Sequence, residues 1–196
     1  MGAGLLALAI AACGVCGATA QTVVIVRHAE KADSSADPDL SLAGRSRAMS
    51  LAQLFEDAAP GLILTSPLQR TMQTALPTSG RAGVPVQTVS FDGGTEGHIA
   101  RTVGLVRAAS ADTVILIVGH SNTVPQIAAA LGDPSPQPLG ECDFDRVTTL
   151  VLGPSGHAPA VTHNRYGAPS VSCSPSGLQP GADERTRTST PCGAGT

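Results

Sequence analysis

The length of 196 residues suits a single domain, since domains commonly hold about 100 to 200 residues. Hydrophobic residues make up 42% of the chain and charged residues 14%, which allows a packed core and excludes a wholly disordered chain. The formal net charge of -3 argues against a nucleic-acid partner, because binding nucleic acid needs clustered Lys and Arg.

The first twenty residues are small and apolar and predict an export leader, residues 1–20. Ala18-Thr19-Ala20 fits the small-x-small pattern of a signal-peptidase site, and Ile10-Ala11-Ala12-Cys13 resembles a bacterial lipobox that would place a lipid anchor on Cys13. The apolar run is short for a membrane span, and it lacks the usual basic start. We expect an exported protein, periplasmic or lipid-anchored. If the leader is not functional, the protein stays cytoplasmic.

The first predicted strand ends in a pair of residues suited to chemistry. Val23 to Val26 is a β-branched apolar run, typical of a buried strand, and Arg27-His28 follows it directly. Ligands of open α/β sheets bind beyond the carboxyl ends of strands, which is where these two side chains fall. After a polar loop, Ser41 is the expected N-cap of a helix over residues 42–57.

A second strand, residues 62–65, leads into a helix that carries another arginine. Ser66 is the expected cap and Pro67 the first helical residue, which puts Arg70 in the first turn, near the carboxyl end of the strand. We expect this helix to end among its helix-breaking residues, Pro77, Gly80 and Gly83.

The rest of the chain continues the alternation, with strands predicted at 85–89, 113–118 and 147–152 and helices at 96–109 and 124–131. The strand 113–118 ends in Gly119-His120-Ser121-Asn122, so a second histidine follows a buried strand. Alternating strands and helices indicate an α/β fold, a three-layer α/β/α sandwich with a mostly parallel sheet, over residues 21–168. Residues 169–196 are rich in Ser, Pro, Gly and Thr and predict a disordered tail.

Three motifs occur in order along the chain: Arg27-His28-Ala29, then S-x-L-x-R-x-x-Q-T-A at 66–75, then Val-x-His with its following residues at 118–124. Together they resemble the histidine phosphatase superfamily, also called the phosphoglycerate mutase-like family, over residues 21–166, and in particular its short exported bacterial members. The resemblance implies a phosphatase that hydrolyses a phosphomonoester or phosphoramidate through a phosphohistidine on His28. Phosphoglycerate mutase-type phosphoryl transfer and non-catalytic phosphate binding are the alternatives.

The resemblance also implies roles for the other motif residues. Arg27 and Arg70 would hold the non-bridging oxygens of a small phosphorylated substrate, since guanidinium groups match that geometry. His120 would act beside them as a second cation or donor, and the backbone at Ser121 could add an anion contact. The two histidines have no third ligand at suitable spacing, so we expect no metal and no cofactor.

The proton donor for the leaving group is the least specified role. Glu96 lies a little after the third strand, where better-known family members place a glutamate, and we favour it by a small margin. Glu141 and Asp143, in an acidic cluster before the last strand, are the alternatives.

Residues outside the motifs receive simpler expectations. The five cysteines form no dense disulfide framework, although Cys142 and Cys173 could form one bridge in an oxidising compartment. Glu30 and Lys31 are expected to be loop residues near the pocket. The histidines without a motif are expected to be exposed: His98, His157 and His163.

Overall fold

The computed structural model describes residues 20–153 and 157–171. Within these ranges the elements are β1 (Gln21–Arg27), α1 (Leu42–Gln53), β2 (Leu62–Thr65), α2 (Gln69–Ala82), β3 (Val86–Thr88), α3 (Gly94–Ala108), β4 (Val114–Gly119), α4 (Val124–Ala130), β5 (Arg146–Leu152) and β6 (Ala160–Arg165). The predicted leader, apart from Ala20, and the tail from residue 172 onward lie outside the described residues. Every helix in the described ranges falls short of the length and hydropathy that crossing a membrane requires.

The six strands form one sheet in the order β3-β2-β4-β1-β5-β6. β3, β2, β4 and β1 run parallel, whereas β5 is antiparallel to β1 and β6 is antiparallel to β5. The two strands that carry the histidine motifs are therefore direct neighbours. Their register pairs Arg27 with Gly119, so His28 and His120 follow at the same edge of the sheet.

β1 is buried on both faces, which explains why its sequence is a continuous apolar run rather than an alternating one. Val23 and Ile25 pack in a core cluster with residues of α3 and α4. Val24 and Val26 pack on the other face, in a cluster that includes residues of α1 and α2. Helices on both faces of a mostly parallel sheet confirm the predicted three-layer α/β/α architecture.

Helix α2 departs from the prediction at its start and keeps a proline in its interior. It begins at Gln69 with Leu68 as its N-cap, two residues after the predicted start at Pro67. Pro77 and Gly80 lie inside the helix, so of the three predicted helix-breaking residues only Gly83 ends it. An interior proline costs roughly 3 kcal/mol, and packing of α2 against α1 and the sheet outweighs that cost. The helix ends at Gly83, whose positive φ of 67° is readily available to glycine.

The edge strand β6 is absent from the sequence prediction. Most of its residues are exposed, so it lacks the apolar alternation that marks a strand. The predicted helix 42–57 is also shorter than expected and ends at Gln53.

The described residues continue past residue 168, the predicted end of the domain. Ser170 Oγ accepts hydrogen bonds from the backbone N–H groups of Phe144 and Asp145, at 2.9 and 3.0 Å. The N–H of Ser170 donates to the Asp145 carboxylate at 3.2 Å. Ser170 therefore helps to hold the loop that precedes β5.

Candidate active site

The fold brings together the two histidines that the motifs predict. His28 and His120 follow β1 and β4, and their ring centroids lie 5.4 Å apart at an interplanar angle of 61°. Both side chains are buried. The pair lies at the carboxyl edge of the parallel strands, the place at which ligands of α/β sheets bind.

The surroundings of His28 fix which ring nitrogen is free to react. Nδ1 lies 2.7 Å from the carbonyl oxygen of Ala29. A carbonyl oxygen only accepts, so Nδ1 carries the proton and Nε2 of the neutral ring keeps its lone pair. Burial lowers the pKa of His28 to about 4, and the charges of Arg27 and Arg70 add to this effect. His28 is thus a neutral imidazole at pH 7, with Nε2 as the nucleophilic atom.

His120 is held by a hydrogen bond between its Nε2 and Ser66 Oγ, which are 2.9 Å apart. Its backbone N–H donates to Thr123 Oγ1 at 2.9 Å. Burial, followed by the charges of His28 and Arg70, lowers the pKa of His120 to about 3. Of the two roles expected for His120, these surroundings favour a neutral hydrogen-bonding group over a cation. The fully buried Ser66 was expected only to cap a helix.

Two arginines lie beside the histidines. Arg27, which is 3% exposed, donates from Nη1 to the Gly140 carbonyl at 2.6 Å, and its guanidinium carbon lies 4.4 Å from the centre of the Phe144 ring. Arg70 lies in the first turn of α2, as predicted, and is 17% exposed. The Nε atoms of both arginines are buried and have no hydrogen-bond partner among the described residues. Unpaired buried donors are costly, so this arrangement favours an anionic ligand.

Comparison with protein families matches residues 23–90 to the histidine phosphatase superfamily, branch 1. This segment carries the first two motifs, with Arg27, His28 and Arg70. The matched segment belongs to the histidine phosphatase superfamily. The predicted family is thereby confirmed. A comparison of the sequence with curated proteins found no match.

Solved structures with this fold include several phosphatases. A mycobacterial glucosyl-3-phosphoglycerate phosphatase is 19% identical, with 76% of this chain and 100% of that chain covered and a TM-score of 0.55. The protein histidine phosphatase SixA complexed with tungstate is 21% identical, with coverages of 74% and 95% and a TM-score of 0.57. A phosphoserine phosphatase from Entamoeba histolytica in complex with 3-phosphoglyceric acid is 16% identical, with coverages of 76% and 98% and a TM-score of 0.55. At these identities the likeness shows the fold, and it confirms the predicted phosphoglycerate mutase-like fold class.

The candidate proton donors differ in how close they lie to the histidines and arginines of the site. Glu96 is exposed in the first turn of α3, and its side chain forms no hydrogen bond or ion pair with the described residues. Glu141 lies beside the site, with its carboxylate 3.6 Å from Nη2 of Arg27. Asp143 holds the same loop by accepting the N–H of Gly140 at 2.9 Å. The contact with Arg27 thus belongs to one of the alternative acids rather than to Glu96.

Aromatic rings flank the histidine pair on both sides. Phe144 lies 6.0 Å from His28, and Phe91 lies 6.0 Å from His120, measured between ring centroids. Phe91 stacks on His98 at 4.4 Å, and His98 is buried, so the expectation that it is exposed is wrong. No motif marked these residues. The scarcity of phenylalanine could have marked Phe91 and Phe144, because the chain has only three phenylalanines.

Ser121 follows His120 in a turn and is partly buried. Its predicted contact with an anion stays a prediction. Among the described residues, no three His, Cys, Asp or Glu side chains are grouped in a way that could hold a metal ion. Cys142 is disulfide-bonded, but all other cysteines lie outside the described residues, so its pairing with Cys173 stays a prediction. The predicted export also stays a prediction, because the leader before Ala20 lies outside the described residues.

A network of contacts holds the loop that follows His28. Arg47 Nε donates to both carboxylate oxygens of Glu30 at 3.0 Å, and Nη2 donates to Oε1 at 2.7 Å. Arg47 Nη1 also donates to the carbonyl oxygens of Tyr166 and Ala168, at 3.2 and 2.9 Å. Any side chain at Gly44 would overlap the carbonyl oxygen of Glu30, so glycine allows α1 to approach this loop closely. Glu30 is therefore an anchored residue, not merely a member of a loop.

We expect the neutral histidines to make stability depend on pH. The pKa of His28 falls from an ordinary value of 6.5 to about 4 on folding, so between these pH values the unfolded chain binds more protons. The free energy of unfolding is therefore highest above pH 6.5 and falls as the pH is lowered through this window. For His28 the decrease is on the order of 3 kcal/mol. Urea unfolding of the native protein and of His28→Asn at pH 7 and pH 4.5 measures the difference. Equal losses in the two proteins would contradict the expectation.

Proposed function

We propose that this domain is a phosphatase that hydrolyses a phosphomonoester or phosphoramidate through a phosphohistidine on His28. The proposal depends on one observation: a neutral His28, with Nδ1–H bound to the Ala29 carbonyl, lies beside Arg27 and Arg70, whose buried Nε atoms have no partner among the described residues. An imidazole in this state has its Nε2 lone pair available for attack on phosphorus. The arginines supply the charge that a phosphoryl group needs during transfer.

The first step transfers the phosphoryl group to the enzyme. The Nε2 lone pair of His28 forms a bond to phosphorus while the bond from phosphorus to the leaving group breaks, and that electron pair departs with the leaving group. Arg27 and Arg70 stabilise the charge on the non-bridging oxygens, and His120 can donate a hydrogen bond beside them. A carboxylic acid gives its proton to the leaving atom. Glu141 lies in contact with Arg27 and Glu96 does not, and both remain candidates for this role.

The second step releases phosphate. Water attacks phosphorus in line with the P–N bond, and the electron pair of that bond returns to Nε2 of His28. The carboxylate formed in the first step accepts the proton of the water, so the products are orthophosphate and the enzyme in its original protonation state. Both steps use the same positioned arginines.

Release of orthophosphate tests the proposal. The purified full chain, incubated with 4-methylphenyl phosphate at pH 7, should release one phosphate for each phenol, repeatedly. Addition of glycerol as an acceptor should divert little of the phosphate, because hydrolysis and not transfer is expected. Quantitative transfer to the acceptor would instead indicate a mutase-type activity. Phosphate binding by calorimetry without turnover would indicate a binding protein and contradict the proposal.

A further inference from the structure

Each arginine of the site has a carboxylate on its solvent side. Arg27 lies 3.6 Å from Glu141, and Arg70 lies 3.6 Å from Asp37, measured between the nearest charged atoms. The arginines are 3% and 17% exposed, whereas Glu141 is 84% and Asp37 40% exposed. The carboxylates therefore lie farther out than the cations that would hold the phosphoryl group. These carboxylates are thus placed to contact a group that extends outward from the phosphate.

The other charges that face the site leave this outer rim negative. Asp143 acts electrostatically on Arg27 and reinforces Glu141. Glu30 is paired with the buried Arg47 and contributes little free charge. Lys31 is an exposed cation near His28 and opposes the carboxylates. Among the described residues that face the site, the acidic groups on the rim thus outweigh this lysine.

Aromatic rings add a second, independent feature on the same side. Phe144 and Phe91 are both partly exposed and flank the histidine pair at its two ends. Phenylalanine faces are uncharged and attract cations, as Arg27 over the Phe144 ring already illustrates. Neither ring offers a donor to a second anionic group. The two phenylalanine rings and the carboxylates of the rim therefore both favour a leaving group that is cationic or uncharged.

We propose that the site selects phosphorylated substrates whose leaving group is cationic or uncharged, and discriminates against those with a second anionic group next to the phosphate. The proposal rests on the proposed function and adds the substrate class. Arg27 and Arg70 serve the phosphoryl group itself, while Glu141, Asp37 and the two phenylalanine rings determine what is attached to it. Glu141 and Asp37 are thus specificity residues.

Three aryl phosphates of nearly equal leaving-group basicity test this class. They are phenyl phosphates with aminomethyl, methyl or carboxymethyl at position 4, so that charge is the main variable. We expect kcat/KM to be highest for the cationic substrate, intermediate for the neutral one and lowest for the anionic one. The cationic and anionic substrates should differ about tenfold at low ionic strength. The ratio should shrink in 0.5 M NaCl, because exposed charges are screened.

Matched variants locate the source of the selectivity. Glu141→Gln and Asp37→Asn should each narrow the cation-to-anion ratio by about two- to threefold. Glu56→Gln is the control, since Glu56 is an exposed carboxylate paired with Arg81 just before β2, at the opposite edge of the sheet. It should leave the ratio unchanged. Loss of proton donation by Glu141 would lower kcat for all three substrates, whereas Asp37, which has no part in proton transfer, reports charge alone.

Each outcome is decisive. Equal rates for the three substrates, or a preference for the anion, would overturn the substrate class while hydrolysis itself upholds the proposed function. A ratio that Glu141→Gln and Asp37→Asn leave untouched would overturn the role of the rim. If none of the three is hydrolysed, the proposed function fails, and the substrate class fails with it.

Discussion

His28→Ala is expected to lower kcat roughly 10⁴-fold or more, to the limit of detection, while the protein remains folded. The substitution removes the atom that would form the covalent bond to phosphorus. The side chain makes one local hydrogen bond, to Ala29, so little of the fold depends on it. His157→Ala is the matched control, because His157 is an exposed histidine outside the site. Its activity should remain at the native level.

Rapid acid quench with ³²P-labelled substrate checks the covalent step directly. The native protein should yield a phosphoenzyme that is stable to base and labile to acid, as a phosphorus–nitrogen bond requires. His28→Ala should yield none, and its circular dichroism and melting curve should show a folded protein. Turnover near the native rate in this variant would exclude His28 as the nucleophile and leave phosphate release to another group.

The position of the histidine pair follows from local sequence. β1 and β4 are continuous apolar runs, and each ends at once in polar residues, so burial defines both strands and the motif residues are left at their ends. Neighbouring parallel strands then bring His28 and His120 to one edge without further information. Arg70 follows from the same reasoning, because it starts the helix after a third parallel strand.

The parts that sequence did not predict depend on contacts between distant segments. Ser66 meets His120 across 54 positions, and Arg27 meets the Gly140 carbonyl across 113. Phe91 and Phe144 approach the histidines from separate loops whose paths no periodicity encodes. Pro77 illustrates the same limit in secondary structure, since packing of its helix outweighs a local rule. Local pattern therefore predicts the framework and the histidine pair, but not the aromatic rings and the contacts that surround them.

Breaking the pair between Arg47 and Glu30 should have the largest effect on stability. Arg47→Met keeps the volume of the side chain but leaves the Glu30 carboxylate without its bidentate partner and frees the carbonyl oxygens of Tyr166 and Ala168. Loss of one member of a buried ion pair costs about 3 to 5 kcal/mol. Glu30 is partly exposed, so we expect about 3 kcal/mol, measured by urea unfolding at pH 7.

Two further variants separate the pair from a general effect of losing an arginine. Arg45→Met removes a neighbouring arginine of α1 that is exposed and should cost less than about 1 kcal/mol. Glu30→Gln combined with Arg47→Met should be more stable than Arg47→Met alone, because it leaves no uncompensated carboxylate. Arg47→Met should also lower kcat more than Arg45→Met does, since Glu30 lies two residues after His28 and its anchoring holds the nucleophile in line. Equal stability of the two single variants would show that the pair contributes nothing to this loop.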